Sequence, residues 1–139
     1  MSSPPPAHLP TPAALIDVAR MQRNIARMQS RLDALGVAFR PHVKTSKCWP
    51  VVQAQLAAGA RGITVSTLKE AREFHAAGVR DILYAVGIAP HRLGEVLELR
   101  RAGCDPKIIA DSREAAEQVA AFGLAHHHAF EVWIEIDTD

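Results

Sequence analysis

The stretch GITVSTLKEAREFHAAGVRDILYA, residues 62–85, decides the fold because it contains a strand, a helix and a second strand in succession. GITVS (62–66) and DILYAV (81–86) are apolar almost throughout, as is typical of parallel strands covered on both faces. Between them, TLKE has the capping-box pattern that begins a helix, and a glycine follows the helix, as is common at helix ends. This order of elements predicts a parallel α/β sheet.

The same βα unit recurs along the chain. The segments AAGARGITVS (57–66), AAGVRDILYA (76–85) and RAGCDPKIIA (101–110) each contain a helix end, a glycine, a short turn and a strand. They repeat with a period of roughly 20 to 25 residues. No GxGxxG motif follows any of these strands, so a dinucleotide-binding fold has no support. An eight-stranded βα barrel is the better interpretation, and a complete one needs about 250 residues.

Five helices and six strands are predicted in total. The helices begin near Val18, Pro50, Thr67, Pro90 and Ser112 and end at Gly36, Gly59, Gly78, Gly103 and Gly123. The strands are 13–17, 37–44, 62–66, 81–86, 106–110 and 130–137. Because the chain has 139 residues, we expect the N-terminal part of a (β/α)8 TIM-like barrel, truncated after about five barrel strands.

Composition excludes several classes of protein. Apolar residues make up 48% and charged residues 22%, so the chain can bury a core and is not a disordered type. Lys plus Arg number 16 against 15 for Asp plus Glu, which lacks the charge excess of a nucleic-acid binder. No apolar run is long enough to span a membrane. Two cysteines provide no disulfide framework, and we expect a reduced, cytoplasmic protein.

The first ten residues differ from the rest of the chain in composition. MSSPPPAHLP (1–10) lacks the basic and apolar regions of a signal peptide. Its three consecutive prolines favour an extended chain, and we expect a disordered Pro-rich leader. Residues 11–139 would then form one incomplete barrel domain.

The stretch with the most candidate functional side chains is FRPHVKTSKCWP, residues 39–50. Because side chains alternate along a strand, Arg40, His42 and Lys44 share one face. In a parallel barrel the active site lies at the C-terminal ends of the strands, which is where Lys44 is predicted. Partial desolvation and neighbouring cations favour the neutral amine that condenses with a carbonyl cofactor. A solvated lysine at an exposed strand end is the alternative, and spacing alone favours it.

A resemblance to a known family favours the functional interpretation of Lys44 over the solvated one. TPAALID (11–17) before an amphipathic helix, RPHVKTSK (40–47) and the stretch 62–85 together resemble the fold-type III pyridoxal-phosphate enzymes. Within these enzymes, the sequence most resembles the D-threonine aldolase and D-serine dehydratase group, which are relatives of alanine racemase. The resemblance implies that Lys44 forms the internal aldimine with pyridoxal phosphate, as does the lysine of RPHxKTHK-like segments. Ser46 stands where that group usually has histidine.

The resemblance also implies an activity. The parent protein would be a pyridoxal-phosphate-dependent lyase acting on D-β-hydroxy amino acids, in the manner of a D-threonine aldolase that produces glycine and an aldehyde. A D-serine dehydratase or an amino-acid racemase of the same fold is the alternative. A divalent metal, Mn or Zn, is implied for the full-length protein, with its ligands absent from this chain. A homodimer is implied as well, and the strand at 13–17 would belong with a C-terminal β domain.

Several other residues are candidates for the site. His42 would pack against the cofactor or tune Lys44, although a satisfied interior histidine is equally expected. Tyr84, near the end of its strand, would line the pocket, or reach one hydrogen bond in the core. Arg40 needs a carboxylate partner if it is buried, and we name Glu135 or Asp137.

The remaining polar residues are given structural interpretations. Lys47 is expected in solvent on the loop after Lys44. The run His126–His128 is expected to be a solvated loop, because adjacent residues rarely converge on one zinc ion. Cys48 and Cys104 are interpreted as free thiols.

Two functional alternatives remain open besides the lyase. Some relatives of this barrel bind pyridoxal phosphate without a known catalytic role, and the strand at 13–17 argues weakly against that reading. The chain alone is also expected to be poorly stable and inactive, because an incomplete barrel leaves two sheet edges open.

Overall fold

The computed structural model of the protein describes residues 9–138. In chain order the elements are α1 (Val18–Ala34), α2 (Trp49–Ala57), β1 (Ile63–Val65), α3 (Leu68–Ala76), β2 (Asp81–Gly87), a 3-10 turn (Pro90–Arg92) that leads into α4 (Leu93–Arg101), β3 (Asp105–Ala110), α5 (Arg113–Ala125) and β4 (Glu131–Ile134). The leader predicted for residues 1–10 lies almost wholly outside the described residues, so its expected disorder stays a prediction.

The four strands form one parallel sheet in the order β1-β2-β3-β4, so each strand pairs with its neighbour in the chain. Residues 39–43 run beside β1 and contribute a single bridge, between His42 and Thr64. The strand predicted for residues 37–44 is therefore reduced to that bridge. The parallel α/β class is confirmed, and the order is that of successive strands in a βα barrel.

Helix α3 shows how local sequence sets the element boundaries. The Thr67 hydroxyl accepts a hydrogen bond from the Glu70 backbone N–H at 3.1 Å, and the Glu70 carboxylate accepts one from the Thr67 N–H at 3.2 Å. This reciprocal capping box satisfies backbone donors that the first helical turn leaves free. Gly78 follows the helix with φ of +105°, which a residue without a Cβ adopts readily. Both predicted ends are confirmed.

Helix α5 begins where predicted but ends later. The Ser112 hydroxyl accepts from the Ala115 N–H at 3.2 Å, yet the helix continues past Gly123 to Ala125. A Cβ on Gly123 would lie 2.6 Å from the carbonyl oxygen of His128, so glycine is required there for close approach of the following chain. The predicted stop at Gly123 was wrong because a packing glycine was interpreted as a helix end.

The chain before and along α1 also differs from prediction. Residues 13–17 form no strand; the Asp17 carboxylate instead caps α1 by accepting from the Arg20 N–H at 2.9 Å. The apolar stripe predicted for α1 is only partly covered: Met21, Ile25 and Leu32 are half-buried, whereas Val18 is 56% and Leu35 58% exposed. The side chain of α1 that is buried is Gln29, which lies against Gly59 after α2.

Register divides the sheet into two faces. On the outer face, Ile63, Val65, Ile82 and Ile108 are buried and form the core together with apolar side chains of the helices. The side chains of the intervening residues point to the opposite, inner face. Thr64 lies on this face, and so does the charged residue Lys107. The hydrophobic core therefore lies between the sheet and the helices, whereas the charged side chains of the sheet lie on its inner face.

A contact across the inner face shows that the sheet is strongly curved. The Arg40 guanidinium carbon lies 5.6 Å from the ring centroid of Trp133 in β4. In a flat sheet, four strand spacings would separate the two residues by about 19 Å, and side chains perpendicular to the sheet would keep that separation. The contact therefore requires the sheet to form a trough with the inner face concave.

Candidate active site

The segment that contains Lys44 is held against β1 by two backbone hydrogen bonds. The Thr64 N–H donates to the Pro41 carbonyl at 2.8 Å, and the Val43 N–H donates to the Thr64 carbonyl at 2.9 Å. Pro41 and Val43 are buried, whereas His42 points to the inner face with Thr64. The alternation predicted for residues 39–44 is confirmed.

Lys44 lies at the C-terminal end of this segment, where the chain turns. The Lys47 N–H closes the turn by donating to the Val43 carbonyl at 3.0 Å, and Lys47 has φ of +44°. The side chain of Lys44 is exposed, and no acceptor among residues 9–138 pairs with its Nζ. Lys107, by contrast, is buried and paired with two carboxylates. The Lys44 amine therefore has no partner among the described residues, and its exposure agrees with the solvated alternative rather than with the expected partial desolvation.

His42 lies two residues before Lys44 on the same face and contacts its backbone. Its Nδ1 accepts the Lys44 backbone N–H at 3.3 Å, so the neutral ring carries its proton on Nε2. Partial burial lowers the pKa of His42 and the charge of Lys44 lowers it further, while the carboxylate of Glu70 opposes both. The neutral imidazole is thereby favoured next to Lys44.

Arg40 is anchored deeper on the same face, and its partner differs from the prediction. It forms two hydrogen bonds with Asp81 at the start of β2, at 2.8 and 2.7 Å. The expected carboxylate partner is therefore present, but it is Asp81 rather than the examples named from the sequence, Glu135 or Asp137. Lys107 adds a further bond to Asp81 at 2.8 Å. Burial alone would raise the pKa of Asp81, but its bonds to Arg40 and Lys107 outweigh it and lower that pKa.

Tyr84 does not share a face with Lys44. It pairs with Val65 and Ile108 and packs against the core between sheet and helices, so the register places it on the outer face. There it lines a cleft of about 860 Å³ next to α3, together with Lys47. The position expected for Tyr84 is corrected, and a role for it in cofactor binding stays a prediction.

Lys47 is not simply solvated. Its Nζ forms an ion pair with Glu70 at 2.9 Å, although 61% of its side chain is exposed. The expected exposure of Lys47 is confirmed, and the ion pair was not foreseen because Glu70 is distant in sequence and close in space. Glu70 itself was recognised only as a capping residue, and the capping-box pattern was the available signal.

The histidine run and Cys104 lie far from Lys44 along the chain, whereas Cys48 follows it by four residues. His126 stacks on Phe122 with centroids 4.1 Å apart, and His128 meets Phe130 edge-on at 4.7 Å. The run lies on the turn after α5 with His126 and His127 exposed, as expected, although two of the rings also contact phenylalanines. Among residues 9–138, no group of three or more His, Cys, Asp or Glu side chains is arranged to hold a metal ion. Cys48 and Cys104 are both free thiols.

One further carboxylate lies at the same end of the sheet. Asp111 directly follows β3, and its Oδ2 lies 3.2 Å from the point where a Cβ on Gly87 would be. Glycine at the end of β2 therefore leaves room for this side chain. Sequence reasoning missed Asp111 because a single aspartate after a strand also fits a turn.

Comparison with known proteins identifies the family. Residues 16–139 match the alanine racemase N-terminal domain. The chain belongs to this family. As an alanine racemase N-terminal domain, it is 70% identical over 131 residues to the D-threo-3-hydroxyaspartate dehydratase of Delftia sp. (strain HT23), covering 94% of this chain and 34% of that protein. It is 33% identical to the D-threonine aldolase of an Arthrobacter species, covering 96% of this chain and 35% of the relative.

Solved structures agree with these relationships. The Delftia sp. HT23 dehydratase superimposes on this domain with a TM-score of 0.93 at 69% identity, over 95% of this chain and 35% of the enzyme. D-threonine aldolase from Filomicrobium marinum gives a TM-score of 0.81 at 25% identity, over 92% of this chain and 35% of that one. The domain thus spans about a third of the length of the relatives it matches.

The residues present fit one implied cofactor and do not fit a metal. An amine without a partner, at the C-terminal end of a parallel segment and beside a neutral imidazole, has the chemistry to hold pyridoxal phosphate. The described residues contain no set of metal ligands. Within residues 9–138, Lys44 and His42 are therefore the residues that would hold pyridoxal phosphate, and no group of side chains is arranged to hold a metal ion.

Proposed function

We propose that this domain belongs to a pyridoxal-phosphate-dependent lyase that acts on D-configured β-hydroxy amino acids, with Lys44 as the cofactor-binding residue. The observation that carries the proposal is the unpaired amine of Lys44, held by the turn 43–47 at the C-terminal end of its segment. Lys47 and Lys107 are engaged in ion pairs, which leaves Lys44 as the available amine among the three.

The chain's own residues have distinct roles in this proposal. Pyridoxal phosphate, when bound, supplies an electron sink for negative charge that develops at the substrate Cα. Lys44 would hold the cofactor through its amine, and the free amine would be the base for the substrate Cα proton. His42 keeps its Nδ1 lone pair on the Lys44 backbone, which fixes the ring beside the amine. Arg40 is neutralised by Asp81 and holds the inner face together below the site.

Among the lyase reactions, we propose dehydration. The relative at 70% identity is a dehydratase of D-threo-3-hydroxyaspartate, whereas the D-threonine aldolase is 33% identical. Loss of the Cα proton and the β-hydroxyl removes water from the substrate, and hydrolysis of the product releases ammonia and a 2-oxo acid. Retro-aldol cleavage to glycine and an aldehyde is the second candidate, favoured by the similarity to the aldolases.

The metal and the homodimer are proposals for the longer protein. One solved variant of the dehydratase is described as a "metal-free form", so that enzyme has a metal-bound state. Among residues 9–138 no set of metal ligands is found, so the ligands would have to come from elsewhere.

Among the same residues, no helix is long and apolar enough to cross a membrane.

The first experiment tests the cofactor site on the 139-residue chain. The chain is incubated with pyridoxal phosphate, reduced with borohydride, digested and analysed by mass spectrometry. We expect the label on Lys44 in preference to Lys69, the exposed lysine of α3, and loss of that label in Lys44→Arg. Lys69→Arg is the matched control and should label normally. A label distributed equally between Lys44 and Lys69 would refute the assignment.

The second experiment tests the reaction. Residues 9–138 are exchanged for the matching third of the Delftia dehydratase, and the chimera is assayed with D-threo-3-hydroxyaspartate, D-threonine and D-serine. We expect ammonia release from the first, abolished by Lys44→Arg, and no turnover by the 139-residue chain alone. Cofactor labelling of Lys44 without turnover of any substrate would favour the non-catalytic pyridoxal-phosphate-binding alternative, since the strand that argued against it is absent from residues 13–17.

A further inference from the structure

Glu70 joins three parts of the structure next to Lys44. Only 8% of its side chain is exposed, and its Oε2 accepts from the backbone N–H groups of Ser66 at 2.8 Å and Thr67 at 3.2 Å. Its Oε1 faces Lys47 Nζ at 2.9 Å and has no other partner among residues 9–138. One carboxylate thus connects the end of β1, the start of α3 and the loop after Lys44.

The loop on the other side of this ion pair is the turn that contains Lys44. It is closed by the hydrogen bond from the Lys47 N–H to the Val43 carbonyl, and Lys47 has φ of +44°. A non-glycine residue adopts this left-handed conformation at a conformational cost, and it persists where the surroundings enforce it. The ion pair with Glu70 is a contact that enforces it here.

Electrostatics keep this anchor charged and extend its effect to His42. Burial opposes ionisation of Glu70, but its hydrogen bonds from Lys47 and Ser66 outweigh burial and lower the pKa of Glu70. The negative charge of Glu70 also acts on His42, where it opposes the effects of burial and of Lys44. The carboxylate therefore influences both neighbours of the Lys44 amine.

We infer that the Lys47–Glu70 ion pair is a positioning device that fixes the turn 43–47 against α3 and so holds the Lys44 amine beside His42. Neither residue is assigned contact with the cofactor or substrate. The consequence for cofactor binding rests on the proposed function, whereas the restraint on the turn does not.

The test removes the ion pair and leaves the capping box intact. In Lys47→Met the carboxylate keeps its bonds to Ser66 and Thr67, so α3 retains its cap. Lys69→Met is the matched control, because it removes an exposed lysine from the same helix region without touching the turn. Lys47→Arg keeps a cation for Glu70 and should rescue the effect.

Two measurements are made on each variant. Amide hydrogen exchange of the peptide that includes Lys47 reports the closure of the turn, and the rate of pyridoxal-phosphate labelling of Lys44, followed across pH, reports the amine. In Lys47→Met we expect exchange to rise and labelling to slow by about threefold to fivefold, which an ion pair of this exposure supports. The pH profile of labelling should also shift, since His42 and Lys44 would no longer be held together.

The outcomes separate this inference from the proposed function. If exchange and labelling in Lys47→Met match those of wild type and Lys69→Met, the positioning role is overturned while Lys44 stands as the cofactor residue. If wild-type Lys44 is never labelled, the proposed function fails, and hydrogen exchange still decides whether the ion pair restrains the turn. Should Lys47→Met lose its folded circular dichroism, Glu70→Gln, which keeps an acceptor for the backbone donors, replaces it in both measurements.

Discussion

Replacing Asp81 by asparagine tests the ionic network below the candidate site. Asp81 accepts two hydrogen bonds from Arg40, at 2.8 and 2.7 Å, and one from Lys107 at 2.8 Å. Hydrogen bonds to charged groups contribute about 1.5–3 kcal/mol each. The loss should be smaller than the sum of the three hydrogen-bond contributions. The Arg40 and Asp81 side chains are 20% and 30% exposed, and Lys107 retains its ion pair with Asp105 in the variant. We therefore expect Asp81→Asn to lower the free energy of unfolding by about 2–3 kcal/mol.

The assay is urea unfolding followed by far-ultraviolet circular dichroism. With a slope of about 1–3 kcal/mol per molar urea for a small protein, the midpoint should fall by roughly 0.7–3 M. Glu117→Gln is the matched control, because it breaks the ion pair with Arg113, whose side chains are 61% and 86% exposed. That control should change the free energy of unfolding by less than about 0.5 kcal/mol.

The pH dependence provides a second check on the same network. Because the pKa of Asp81 is lower in the folded protein than its ordinary value of 3.8, its contribution is complete above that value. The contribution is lost as pH falls through the folded pKa. The difference between wild type and Asp81→Asn should thus persist from neutral pH to about pH 5 and close only in more acidic solution. An effect at neutral pH no larger than that of Glu117→Gln would refute the reasoning.

Two further predictions concern packing and thiol chemistry. A Cβ on Gly62 would lie 2.7 Å from the backbone carbonyl of Asp81, whereas nothing lies within 4 Å of one on Gly94. Gly62→Ala should therefore lower the melting temperature through a loss of about 1–3 kcal/mol, while Gly94→Ala in exposed α4 should raise it slightly; equal shifts would contradict the contact. Burial raises the pKa of Cys104 to about 11, so iodoacetamide near neutral pH should modify the half-buried Cys48 first. Preferential labelling of Cys104, read by mass spectrometry, would contradict its burial.

The parts of the fold that the sequence predicts well are those set by local contacts. The capping box of α3 and the serine cap of α5 lie within four residues of the groups they bond, so their patterns are visible in one dimension. The cap at Asp17 was missed because AALID is apolar and was interpreted as a strand. Nothing local distinguishes a short apolar segment that pairs with a sheet from one that does not.

The missed features of the site depend on contacts between distant residues. The partner of Arg40 lies 41 residues away, and only the register of the sheet brings Asp81 to it. Tyr84 was placed on the wrong face because DILYAV is apolar throughout and offers no alternation from which to choose a face. The common face of Lys44 and His42 was predicted correctly because their segment does alternate, with Pro41 and Val43 buried.

The neighbour-to-neighbour order of the strands bears on how the chain acquires its shape as it leaves the ribosome. Each newly made strand finds its pairing partner already present in the preceding unit, so assembly can advance from the N-terminus without waiting for distant segments. The turn around Lys44 gains its anchor as soon as α3 is made, well before β4 is translated. Both the pairing of β4 with β3 and the stacking of Arg40 on Trp133 must wait for β4, so the bending of the sheet across residues 39–134 follows the pairing of the earlier strands.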